Sequence, residues 1–235
     1  MGSNKDYWFD RIEAQKNSRL ANLLGITEGE LEQIAYDIDG DYSNDGLLYG
    51  YVVRFDDDNS EQLKMFNKQL AEIPAMLQIE TTQSAQFSLL VMLHAHVVSA
   101  LEHFLSTTFI HCVTGSDKLT RKLIETDPEF GNRKFSVNEI YAQHSNIKST
   151  VATYLKGIIF HDMRKVKPMY AEVLACDFGD ISWLFRAVIL RHDCVHRAGY
   201  DKDGKSVTVS IVSINELVNN CRELAERIDT HVQKL

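Results

Sequence analysis

Near the end of the chain, Arg191-His192-Asp193-Cys194-Val195-His196 brings a guanidinium, two imidazoles, a carboxylate and a thiol into six consecutive residues. Arginine offers a planar fork of donors that suits a phosphate, and it stays cationic at any physiological pH. Imidazole titrates near neutrality, so it can take a proton from one oxygen and give one to another. On a helix, residues four apart lie one above the other, which stacks His192 on His196. Arg191 and His196, five apart, stand roughly 140° apart around the axis and flank one side of it. Arg191 lies one turn beneath Val195, which this phase turns towards the core. Cations at a helix end also complement the macrodipole, so the cluster has an ordinary structural explanation beside the chemical one.

Other reactive side chains are less well arranged. His94 and His96 are two apart and so point about 200° away from each other on a helix, which suits core or interface histidines better than a shared metal site. His111-Cys112 and His161-Asp162 are adjacent pairs without a third ligand. The four cysteines show no CxxC spacing, which predicts neither a disulfide framework nor a zinc knuckle and fits a reducing compartment. Cys194 beside His192 and His196 has nothing to build an oxyanion site, and no Gly-rich phosphate loop, Gly-x-Ser-x-Gly elbow or His-Glu-x-x-His helix is present. The reading therefore calls for no metal and no cofactor.

The elements that must hold the Arg191–His196 segment are mostly helical. Apolar residues recur at Ile181, Leu184, Phe185, Val188, Ile189 and Val195, and Gly199 is placed to end that helix. From Thr81 to about Val113 the chain lacks Gly and Pro and repeats apolar residues at helical spacing, among them Leu89, Met92, Leu93, His96, Val97, Ala100, Leu101, Phe104 and Leu105. This predicts the longest helix. Further helices are expected from about Glu61 towards Pro74, between Gly115 and Pro128, over 140–155, opened by Ser136, and over 169–176. The last is a closing helix capped by Ser213 with a stripe through Leu217, Cys221, Leu224, Ile228 and Val232. Thr27 and Glu30 have capping-box spacing for a short helix. Alternating and β-branched residues predict a β-hairpin over about 35–55 and a short strand at Ser206–Ile211.

A chain of 235 residues, 44% hydrophobic and with three prolines, can bury a sizeable core. Its net charge of −8 is uneven, because residues 1–73 carry 15 Asp/Glu against 7 Lys/Arg and the remainder carries 18 of each. The acidity belongs to the N-terminal part. From Asn132 to Tyr170, seven Lys/Arg oppose only Glu139 and Asp162, a segment able to offer a basic face to RNA or merely a solvated helix surface. His94, His96, Glu102 and His103 interrupt the most apolar stretch, and Met1 to Leu20 is polar with both charge signs. The expectation is no membrane span, no signal peptide and a cytoplasmic protein.

With that order of elements, the Arg191–His196 segment resembles the Arg-x4-6-His motif of the HEPN superfamily. A polar residue follows the Arg, the motif falls late in a helix, and a Gly-containing turn comes next. The layout of Thr81 to Leu235 is similar too: a long first helix containing Ala100-Leu101-Glu102-His103-Phe104-Leu105, intervening helices, the motif helix and a final helix. The resemblance implies a mainly α, HEPN-like up-and-down bundle over 76–235; residues 1–75 lie outside it and read as an acidic α+β appendage from their charge and hairpin pattern. It implies a metal-independent endoribonuclease, commonly a toxin or an effector of phage defence, acting as a homodimer whose two motifs line one cleft. A cognate antitoxin or defence-system protein is then a possible partner. Arg191 would stabilise the phosphate, His196 would move protons, and His192 and Glu102 would assist, Glu102 by orienting Arg191 or a His. The sequence departs from the family in carrying His192 where Asn or Asp is frequent. It also has Ala198 where a subgroup paired with nucleotidyltransferase antitoxins has Tyr. A non-catalytic module of the same kind, binding RNA, a nucleotide or a partner protein, is the other reading.

Overall fold

The computed structural model describes residues 17–19, 21–22, 25–31, 60–131 and 147–235. The expected hairpin at 35–55 and the helix start at Ser136 lie outside these residues. What is described is mainly helical, as the periodicity predicts. At the N-terminal side, Thr27 and Glu30 form the expected capping box: the Glu30 carboxylate accepts from the Thr27 amide at 2.8 Å, and the Glu30 amide donates to the Thr27 hydroxyl at 3.2 Å.

The organising element is the helix Gln83–Gly115, started by Thr82, whose hydroxyl accepts from the Ala85 amide. With the long helix as α3, three helices flank it closely: α1 (Glu61–Leu70) and α2 (Ile73–Met76) before it and α4 (Asp117–Thr126) after it. After α5 (Pro128–Gly131) come α6 (Ile147–Lys156), α7 (Met163–Leu174), α8 (Ser182–His196) and α9 (Ile211–Val232). Helices α1, α4, α6, α8 and α9 all pack on α3. Being covered from several sides, α3 buries more than one stripe: Leu90, Leu93, Val97, Val98, Leu101, Phe104, Leu105 and Phe109 are all inside.

That wrapping corrects two details of the expected stripe. Met92 is 61% exposed and His96 faces out, its Nε2 meeting the Gln69 carbonyl oxygen at 3.0 Å, whereas His94 is buried with Nε2 3.0 Å from the Ala187 carbonyl oxygen. It also corrects the membrane expectation in part. By length and composition alone α3 is apolar enough to cross a bilayer, but its apolar side chains here meet other helices.

At the lower half of α3 an aromatic cluster joins α7. Phe109 lies 5.0 Å from Tyr170 between ring centroids, and Tyr170 lies 4.8 Å from Phe178. The Tyr170 hydroxyl donates to the Leu105 carbonyl at 2.6 Å, which satisfies the polar end of a fully buried ring. Helix α7 begins at Met163, earlier than the expected 169, and carries Pro168 inside it. Its start is fixed by buried Asp162, which accepts from the Arg164 amide and side chain together, the latter at 2.8 and 3.0 Å.

The expected strand at Ser206–Ile211 is not formed. Among the described residues only a single antiparallel bridge, Tyr200 to Ser206, closes the turn after α8, because Val207–Val209 have no neighbouring strand to pair with. Helix α9 therefore starts sooner than Ser213. Ser210 caps it and Ser213 completes a capping box, each hydroxyl accepting from the other's amide at 3.1 and 2.9 Å.

Candidate active site

Helix α8 buries Leu184, Phe185, Ala187, Val188, Arg191 and Cys194. Their spacing follows one helical face, so Arg191 occupies a position in the core-facing series. This overturns the expectation for Val195, which is 47% exposed; the phase that buries Arg191 and Cys194 turns Val195 outwards. The Arg191 side chain is only 8% exposed.

A charge at that depth needs a partner, and α3 supplies one. Glu102 Oε1 stands 3.9 Å from Arg191 Nε, with the Glu102 side chain 13% exposed. The other carboxylate oxygen, Oε2, lies 3.3 Å from Nδ1 of His161. One carboxylate thus faces two basic side chains, and three segments distant in sequence meet around it. Glu102 is among the residues the sequence singled out. His161 entered only in the adjacent pair His161-Asp162, set aside for want of a third ligand; the structure parts the two, since Asp162 turns away to cap α7. The available signal was the apolar frame Ile158-Ile159-Phe160 and Met163 around a His-Asp pair, which predicts that both polar side chains must find inward partners.

Outside this triangle, His192 and His196 lie against each other as the spacing predicts, with ring centroids 4.7 Å apart and planes tilted by 38°. His192 is half-buried and His196 exposed. Side-by-side imidazoles place proton donors and acceptors at one surface, next to a helix whose buried face carries the guanidinium. The segment after the motif is held firmly. Arg197 pairs with Asp193, and the Gly199 amide donates to the Asp193 carbonyl at 3.0 Å. Gly199 has φ +85°, and a Cβ there would sit 2.6 Å from Val91 Cγ2 and 2.9 Å from Phe87 Cζ of α3. Glycine is required both by that angle and by that closeness. It ends α8, as expected, and pins the motif's exit to α3.

Cys194 is unsuited to be a nucleophile, because burial pushes its thiol up to about 11 and keeps it protonated at neutrality. Burial lowers the imidazoles of His94, His103 and His111 below their ordinary range. Among the described residues no three His, Cys, Asp or Glu side chains converge as a metal site would need. The basic segment is partly committed to local partners. Arg164 grips Asp162, Lys167 donates to the Gly179 carbonyl at 2.8 Å, and Lys148 pairs with Asp117 at 2.7 Å, while Lys156 and Lys165 are exposed. No protein-family model matches the chain, and neither a curated protein nor a solved structure matches it.

Proposed function

We propose that this protein is a metal-independent endoribonuclease of the HEPN kind, a toxin or phage-defence effector, with Arg191 and His196 as its catalytic residues. The supporting observation is the meeting of Glu102 with Arg191. An acidic residue at this place on the first long helix is frequent in the family the chain resembles, expected to orient Arg191 or a His, and Glu102 stands 3.9 Å from Arg191. In the reaction the 2′-hydroxyl oxygen attacks the neighbouring phosphorus and the bond to the 5′-oxygen breaks. His196 takes the 2′ proton or delivers one to the leaving 5′-oxygen, and the Arg191 guanidinium neutralises charge on the phosphorane-like transition state. His192, against His196, assists at the phosphate. A second copy of the chain supplies the complementary imidazole, so the active unit is a homodimer with a composite cleft. It works in the cytoplasm, where an antitoxin or defence-system partner restrains it. Residues 76–235 form the HEPN-like bundle and 1–75 its acidic appendage.

Incubating the purified protein with RNA in EDTA, beside Arg191→Ala and His196→Ala, tests this reading. Cleavage by the wild type with 2′,3′-cyclic phosphate ends, lost in both variants, is the expected result. Absence of cleavage, or undiminished cleavage by both variants, overturns it. A monomer that cleaves would overturn the shared cleft alone. The depth of Arg191 favours a second reading, a non-catalytic module in which the Arg191–Glu102 pair is structural. RNA binding without cleavage in the same experiment would select it.

A further inference from the structure

The Glu102 carboxylate is nearer to His161 than to Arg191, 3.3 Å against 3.9 Å. Both bring a basic side chain to the carboxylate, and attraction strengthens as the distance shortens. His161 is also held by its surroundings. It lies in the turn between α6 and α7, where Phe160 on one side is 5% exposed and Asp162 on the other is 1% exposed and gripped by Arg164. The Asp162 amide donates to the Ile159 carbonyl at 3.1 Å and the Met163 amide to the His161 carbonyl at 2.9 Å, closing the turn around the imidazole. Nδ1 is the ring nitrogen turned to the carboxylate, so a proton held there would bridge the two groups.

This geometry solves a problem that a buried arginine poses for phosphate chemistry. If Arg191 were the sole partner of Glu102, turning its guanidinium to a phosphate would leave a nearly buried carboxylate uncompensated, which costs several kcal/mol. A second base held on the opposite oxygen removes that obstacle. We propose that His161 is a positioning residue of the Arg191–His196 site: it holds Glu102 so that the carboxylate aims Arg191 and remains paired when Arg191 engages a phosphate. The inference rests on the ribonuclease reading for its catalytic consequence, but not for the contact itself.

The test uses the full chain as wild type, His161→Leu, His161→Asn, Glu102→Gln and the His161→Leu/Glu102→Gln double variant. Two readouts are needed. One is the Arg191 Nε–H cross-peak in a nitrogen–proton correlation spectrum without RNA, assigned with Arg191→Lys. The other is kcat and KM on a short single-stranded RNA. His161→Leu is expected to move the Arg191 peak and to lower kcat about ten- to a hundredfold, the scale of a displaced catalytic group, while KM changes less than about twofold. In His161→Asn the side-chain amide takes the place of Nδ1–H and restores both. The double variant should be no slower than Glu102→Gln alone, because the effect of His161 runs through Glu102. An unmoved Arg191 peak in His161→Leu, or losses that multiply in the double variant, would overturn the proposal. If His161→Leu does not fold, His161→Ala takes its place under the same criteria: a moved Arg191 peak supports the role and an unmoved one removes it. A wild type that cleaves no RNA defeats the ribonuclease reading, while the Arg191 peak still decides the role of His161.

Discussion

The Arg191–His196 segment has two halves that meet opposite demands. Its inner half, Arg191 with Glu102 and His161, is buried, so its charges must be compensated by one another and are held in place by the core. Its outer half, His192 against His196, rides on the surface of the same helical turn, where an imidazole can meet a substrate but gains little from packing. The contrast teaches that adjacent residues of one motif contribute on different links of the chain from structure to function. On the proposed function, Arg191 couples activity to stability, and His196 does not.

Substitutions can break that division of labour. The largest expected effect is His196→Ala on RNA cleavage, a loss of about 10²- to 10⁴-fold for a general acid–base, with unfolding free energy within about 0.5 kcal/mol of wild type because the residue is exposed. Urea denaturation beside the cleavage assay checks both halves of the statement; a large stability loss would erase the contrast. Arg191→Ala should lose cleavage as well, but also about 2 kcal/mol of stability, since it empties the space of a side chain buried on the core-facing side of α8. Its denaturation midpoint therefore falls where that of His196→Ala holds. Gly199→Ala comes next, with a loss of about 2 kcal/mol in chemical denaturation from the combined left-handed angle and the collision with Val91 and Phe87. A wild-type midpoint for that variant would show that the end of α8 is not pinned to α3.

The smallest effect is on pH dependence. His94, His103 and His111 titrate lower when folded than unfolded, because burial disfavours their cations. For such groups the stability is fully present above the unfolded value, about 6.5, and is lost as pH falls through the folded one. Stability should thus begin to decline below about pH 6.5, ahead of the carboxylates, and His94→Asn should shallow that limb. An unchanged slope in the variant would assign the decline to other groups.

Much of the outer half was legible in the sequence, because i to i+4 spacing alone stacks His192 on His196 and Gly199 marks the helix end. The inner half was legible only in part. Glu102 was named through family resemblance, yet the burial of Arg191 follows from Leu184, Ala187, Val188 and Cys194, a phase that the apolar character of Val195 obscured. His161 was named only within a dismissed pair, because its meaning depends on where a turn between two helices delivers it, and local pattern does not encode that. The same limit explains Val207–Val209, whose β-branched side chains favour a strand that needs a partner the fold does not supply. At Ser210 the helix start was missed because only Ser213 has a Glu three residues on, whereas Ser210 caps with Ser213 itself in the place of that Glu.

The triangle around Glu102 has a consequence for the order of folding. Its three corners come from α3, the α6–α7 turn and α8, so none of its contacts can form until long intervening segments have been closed into loops. It is therefore completed after the α3 core has collapsed. Interactions made on the native side of the barrier govern how fast a protein comes apart and leave its refolding rate nearly untouched. The charges that aim Arg191 thus also act as a latch, slowing the bundle's opening.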